Sequence, residues 1–145
     1  MNKLTFDVSN KNIDIHELER LRSIVSYGKD QIVSTYYIEQ FHNKNLLVFL
    51  AYVGKELAGV MYLTSRDYNL FVDQLFVIPD MQNSQYHVGT ALLKQVEANK
   101  EYIQEFFESK FSRSLIEPAD RKCEKIYRDF GYQNTNTPGK LYKHL

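Results

Sequence analysis

Val72-Asp73-Gln74-Leu75-Phe76-Val77-Ile78-Pro79, followed after a polar loop by Val88-Gly89-Thr90-Ala91-Leu92-Leu93, is the stretch on which the fold turns. Its first half is apolar and β-prone, and Pro79 stops it, so it reads as a strand. In the second half Val88, Leu92, Val96, Ile103 and Phe106 or Phe107 recur at helical spacing, which predicts one helix from about Val88 to about Phe107. The amide N–H groups at a helix start have no intrahelical acceptor and sit at the positive end of the dipole. They can hold a phosphate without Lys or Arg, and Gly89 lets the backbone come close to it. A plain strand-loop-helix connection with Gly89 at a tight spot is the alternative reading of the same residues.

Upstream, Leu4–Val8 alternates weakly and reads as a first strand. Ile15, Leu18, Leu21 and Val25 predict a helix capped by Asp14 and ended by Gly28. Ile32, Val33, Tyr36, Tyr37 and Phe41 predict a second, opened by Asp30. Leu46–Val53, the turn Gly54-Lys55-Glu56 and Leu57–Leu63 form a hairpin. The polar turn Arg66-Asp67-Tyr68-Asn69 leads into the strand Leu70–Ile78, so these serial strands are antiparallel. Downstream, Ser112–Glu117 is a strand reached by a crossover helix, hence parallel to its predecessor. Ala119, Cys123, Ile126, Tyr127 and Phe130 mark a last helix stopped by Gly131. Lys140–His144 closes the chain as a strand. The expected order is β-α-α-β-β-β-α-β-α-β.

The whole chain, 145 residues, suits a single domain spanning 1–145. It is 43% hydrophobic and 25% charged, ordinary for a globular chain with a core of its own. Lys+Arg and Asp+Glu both number 18, which argues against a generic grip on nucleic acid. Cys123 is the sole cysteine and cannot close an intrachain disulfide. His16, His42, His87 and His144 lack metal-ligand spacing, so no metal is expected. No signal peptide and no membrane-length apolar run is seen. The expectation is a cytoplasmic protein with no membrane partner.

The element order and the opening stretch together resemble the GNAT acyl-CoA N-acyltransferase superfamily. That family has a strand ending V-x-P, a loop Q/R-x-x-G-x-G/A, and a helix with paired leucines. Val77-Ile78-Pro79 and Gly89-Thr90-Ala91-Leu92-Leu93 match its two ends. A second family block, N-x-x-A-x-x-x-Y-x-x-x-G-F, is similar to Asp120–Tyr132. There Tyr127 and Gly131 are in register, Asp120 replaces Asn, Cys123 replaces Ala and Tyr132 replaces Phe. The loop departs from the pattern. Counted back from Gly89, Ser84 holds the Q/R position and His87 a glycine position. Counted forward from Pro79, Gln82 holds the Q/R position, so the loop is longer than the pattern. His87 serves there by its own N–H if φ is negative, is strained if φ is positive, or donates to a phosphate through its imidazole.

The resemblance implies a mixed α/β fold, with a mostly antiparallel sheet and helices on both faces. It also implies an acetyl-CoA-dependent N-acetyltransferase acting on a primary amine of a small molecule or peptide by direct attack in a ternary complex. Leu75, Phe76 and Val77 would line the pantetheine arm; Gln82, Asn83, Ser84, Gln85, Tyr86, His87, Val88, Gly89 and Thr90 would surround the pyrophosphate. Asp120 would lie near the thiol end of CoA or simply cap its helix. Tyr127 would be the acid for the leaving thiolate, or a core tyrosine. Asp73, Glu117 or a water relay would take the proton of the amine, which is mostly charged at pH 7. Cys123 reads as a packed small residue. Acceptor choice would lie in the N-terminal helices, the turn Ser65–Asn69 and Tyr132–Leu145, which carry Tyr27, Tyr36, Tyr37, Tyr68, Tyr132 and Tyr142. The expected state is monomer or homodimer. The alternative is a GNAT-fold binding module whose CoA loop has drifted. A reading as a toxin-type enzyme of charged tRNA would need a basic groove from Arg113, Arg121, Lys122 and Lys125.

Overall fold

The computed structural model describes residues 3–9, 39–82, 84–118 and 120–145. The two expected N-terminal helices lie outside the described residues, except for 39–42, which are helical.

The strands are β1 (Leu4–Ser9), β2 (Leu47–Val53), β3 (Glu56–Arg66), β4 (Asn69–Val77), β5 (Arg113–Ile116), β6 (Gln133–Asn134) and β7 (Leu141–His144). They form one sheet in the order β1-β2-β3-β4-β5-β7-β6. Among the described strands only β4 and β5 pair in parallel; the other neighbours are antiparallel. The β3–β4 connection is a two-residue turn with Asp67 at φ 50° and Tyr68 at φ 64°, the mirror-image turn whose twist suits a hairpin.

The crossover between β4 and β5 is two helices, where the spacing of its apolar residues predicts one. α1 (Val88–Ala98) and α2 (Lys100–Phe107) meet at Asn99, whose backbone sits at φ −116°, ψ 24°. Its side-chain amide donates to the Gln95 carbonyl at 3.0 Å. A short amide side chain that bonds the preceding turn offers the backbone a local alternative to the helix. The apolar period continues across the break, which hides it from the sequence.

α3 (Arg121–Asp129) begins as the sequence leads one to expect: Asp120 Oδ1 accepts the Cys123 N–H at 2.8 Å. It ends at Gly131, whose φ of 115° is costly for any side chain.

On one face of the sheet Leu47, Phe49, Met61 and Leu63 meet Val88, Leu92, Leu93 and Val96 of α1 and Ile103 of α2. The close approach of α1 needs Gly59, where a Cβ would lie 2.7 Å from Val88 Cγ1. On the other face Val48, Leu50, Val60 and Tyr62 are also buried. Burial on both faces explains why β2 reads as a continuous apolar run rather than an alternating one.

One irregularity in β4 shapes everything downstream. Tyr62 pairs with Gln74 and Leu63 with Val72, so Asp73 is an extra residue in the ladder. Leu70 and Val72 face the helices before the bulge, and Leu75 and Val77 do so after it. Unbroken alternation would have put Gln74 and Phe76 there. A bulge bends and twists its strand. Here the β4–β5 pairing ends at Val72 and Ile116, while β4 runs on to Val77 without it.

Candidate functional site

The gap left by that divergence is a cleft of about 650 Å³. It is bounded by β4 beyond Val72, the end of β5, the start of α1 and one side of α3. Leu75, Phe76 and Val77 line it, and among the described residues no strand pairs with the β5-facing edge of β4 along this length. An extended ligand with amide groups can complete such an edge as a strand would.

At the start of α1 the first bond within the helix is Ala91 N–H to the His87 carbonyl, 2.9 Å. The amides of Val88, Gly89 and Thr90 come before it and point out of the helix end. All three residues line the cleft. His87 is at φ 48°, ψ 55° and makes no side-chain cap. Of the two backbone conformations open for this residue, the strained one is therefore adopted, at about 1–2 kcal/mol for a left-handed non-glycine residue. Gly89 is different: a Cβ there would touch only Val77 Cγ2, at 3.7 Å. The fold does not require its missing side chain; the open cleft beside it is what a larger residue would fill.

The rest of the loop divides. Gln82 and Ser84 line the cleft, and Gln85 and Tyr86 do not. Gln82 Nε2 donates to the Val77 carbonyl at 3.1 Å, closing the end of β4. Tyr86 packs against the core. Asn83 lies outside the described residues.

α3 supplies side chains rather than amides. Tyr127 is 5% exposed and lines the cleft, as does Cys123 one helical turn before it. Burial first, and then the neighbouring Cys123, hold the Tyr127 phenol well above its ordinary range. Burial and the nearby Asp120 also raise the Cys123 thiol, as befits a packed residue rather than a nucleophile. Asp120 is held below the usual carboxylate range, chiefly by the Cys123 backbone N–H. Behind Tyr127 lies Tyr132, with ring centroids 6.2 Å apart. Tyr132 shares a 2.7 Å hydrogen bond with Ser114, and burial pushes it up to about 12. Tyr132 is thus a core residue.

The carboxylates come from the strands. Asp73, on the bulge, accepts from Thr64 Oγ1 at 2.7 Å and from Arg66 Nη2 at 2.5 Å. Its side chain is 10% exposed, and burial raises its pKa despite both partners. Glu117, just past β5, is 69% exposed and 3.6 Å from Lys140. Both line the cleft, with Asp120 and Tyr127. Met81, Gln74, Lys122 and Ile126 also line it. For Ile126 a signal existed, since it lies one helical turn after Lys122. For Gln74 it did not, because its direction depends on the bulge. Among the described residues no group of three or more His, Cys, Asp or Glu side chains is placed to hold a metal ion. Among them, too, no helix is long and apolar enough to cross a membrane.

The family model for the acetyltransferase (GNAT) domain matches residues 19–141. The chain belongs to the GNAT acetyltransferase family. No curated protein matches it by sequence. Solved structures of similar fold include a GNAT family acetyltransferase from Elizabethkingia anophelis with acetyl-CoA bound, at 17% identity and TM-score 0.69, with 98% of each chain covered. An acetyltransferase from Thermus thermophilus matches over 100% of both chains at 13% identity and TM-score 0.73. AtaT complexed with acetyl-methionyl-tRNAfMet matches at 13% identity and TM-score 0.64, over 98% of this chain and 95% of that one. At these identities the likeness is one of fold. The GNAT fold of this chain is the mixed α/β architecture that its motif order implies, with a mostly antiparallel seven-stranded sheet.

Proposed function

We propose that this GNAT protein transfers an acetyl group from acetyl-CoA to a primary amine by direct attack, with both substrates bound in the β4–β5 cleft. The observation that carries the reading is the joint placement of three features in one cleft. They are the open amides of Val88, Gly89 and Thr90, the unpartnered edge of β4, and the buried Tyr127 hydroxyl. The α1 amides bind the pyrophosphate, and the β4 edge pairs with the pantetheine amides.

Tyr127 acts on the leaving sulfur. A phenol held above its usual pKa keeps its proton at neutral pH, whereas an ordinary thiol has a pKa of about 8.5. Tyr127 therefore stabilises the departing thiolate mainly by donating a hydrogen bond, not by surrendering the proton. Its burial strengthens that bond. A β4 backbone N–H serves the oxyanion of the tetrahedral intermediate. Asp73 has both oxygens engaged and holds the bulge. Glu117, exposed at the rim, takes the amine's proton directly or through water. Lys122 offsets the Asp120 carboxylate near an anionic co-substrate.

The test is calorimetric titration with acetyl-CoA, followed by release of CoA thiol in the presence of primary amines. Saturable binding with amine-dependent release is expected. Absence of binding at millimolar acetyl-CoA would favour a binding module, with the strained His87 loop as its cause.

A further inference from the structure

β5 carries Arg113 and Leu115 two residues apart, so they share the sheet face turned away from α1, and Glu117 follows just past the strand end. Neighbouring strands extend this into rows. Phe71, Leu115 and Tyr142 are register partners across β4, β5 and β7, and they form an apolar row whose middle residue, Leu115, is buried. At one end, beside the cleft, stand Asp73 and Glu117, each matched by a cation: Arg66 to Asp73 and Lys140 to Glu117. Both cations also lie over the Phe71 ring, at 4.2 and 5.6 Å. At the other end stands Arg113. Its Nε donates to Asn69 Oδ1 at 3.2 Å and its guanidinium lies 5.6 Å from the Tyr142 ring centroid. Both are neutral partners, and among the described residues no carboxylate pairs with it. His144, its register partner on β7, adds no negative charge.

A half-buried guanidinium next to aromatic surface is poorly solvated, and a carboxylate or phosphate is its natural counter-charge. The other two cations of this face are matched by carboxylates; among the described residues this one is not. We infer that the acceptor amine carries an anionic group, carboxylate or phosphate, which Arg113 binds while the rest of the acceptor runs along this face from the Glu117 end to the Arg113 end. From Glu117 to Arg113 is four strand residues, about 13 Å at ~3.3 Å each. The acceptor is therefore an extended molecule, amine at one end and anion at the other, rather than a compact amino acid. This inference rests on the acetyltransferase reading only for the position of the amine; the anion site stands on Arg113 and its neighbours.

The experiment uses a ladder of ω-aminoalkanoates of rising chain length, their neutral amides, and ω-aminoalkyl phosphates. Binding is followed by calorimetry on the whole chain and, separately, by acetyl transfer. The anionic members are expected to bind about tenfold more tightly than the amides, with an optimum at the length that spans the two ends of the face. The carboxylate and phosphate arms decide which anion fits better. Arg113→Gln is expected to abolish the preference without changing amide binding, and Arg113→Lys to keep part of it. Equal binding of acids and amides, or equal loss of both in Arg113→Gln, overturns the inference. Binding with the anion preference but no acetyl transfer would overturn the acetyltransferase reading and leave the anion site standing.

Discussion

The two walls of the cleft present different kinds of group. The α1 wall offers backbone amides at a helix start. The α3 wall offers the side chains of Asp120, Lys122, Cys123 and Tyr127. A backbone donor is the same whatever residue carries it, so the α1 wall tolerates a histidine where a glycine is usual, provided the chain keeps its path. A side-chain donor has no such tolerance. The comparison teaches that departures from a family pattern weigh unequally: His87 alters the strain of the loop and leaves its amides in place, whereas a change at Tyr127 would remove the donor that the proposed mechanism uses.

Tyr127→Phe is the sharpest way to break the contrast. It is expected to lower kcat by about a hundredfold, the lower range for removing one hydrogen-bond donor to a developing negative charge, with little change in acetyl-CoA affinity. Steady-state kinetics and calorimetry together read both, and unchanged turnover would return Tyr127 to the core. On the opposite wall, Gly89→Ala is expected to raise the KM for acetyl-CoA about tenfold while kcat holds. The added methyl fits the fold, and alanine is the better helix former by about 1 kcal/mol. Thermal stability should therefore hold or rise. A KM that does not move would show that the phosphates do not approach Gly89.

His87→Gly sets strain against function. Removing the left-handed side chain relieves about 1–2 kcal/mol, partly cancelled by the greater freedom of an unfolded glycine. A small rise in Tm with unchanged acetyl-CoA affinity is expected if only the backbone serves the phosphate. Loss of affinity would assign the imidazole to it.

Asp120→Ala has the smallest expected effect, a fall in Tm of about 2–4 °C from the lost cap of α3. The folded pKa of Asp120 lies below its ordinary value. Its stabilising contribution is therefore complete above the ordinary carboxylate range and fades as pH falls through the lowered folded pKa. The Tm gap between wild type and Asp120→Ala should close over that acidic window. A gap constant with pH would mean that the carboxylate charge is not what caps the helix.

Much of this was legible in the residues. Pro79, Gly89 and the paired leucines located the strand end and the helix start, and Asp120 and Gly131 bracketed α3, because caps, stops and apolar periods act within a few residues of themselves. Asn99 shows the limit of such reading, since the apolar stripe runs past the point where its side chain breaks the helix. Tyr127 was legible by register with a family block, while Tyr132, equally aromatic and nearby, turned out to be bonded to Ser114 in the core.

The sequence by itself determined β1 to β5, β7 and α3, the turns between β2, β3 and β4, and that a helix start with open amides follows β4. Those are local properties of propensity and period. Only the tertiary structure decided that Asp73 is an extra residue in the ladder, that β4 and β5 therefore part beyond Val72 and Ile116, and that β7 lies beside β5. It alone placed Arg113 next to Asn69 and Tyr142, residues far apart in the chain. Register between distant strands is settled by how the whole sheet buries both its faces, and no short stretch of sequence carries that information.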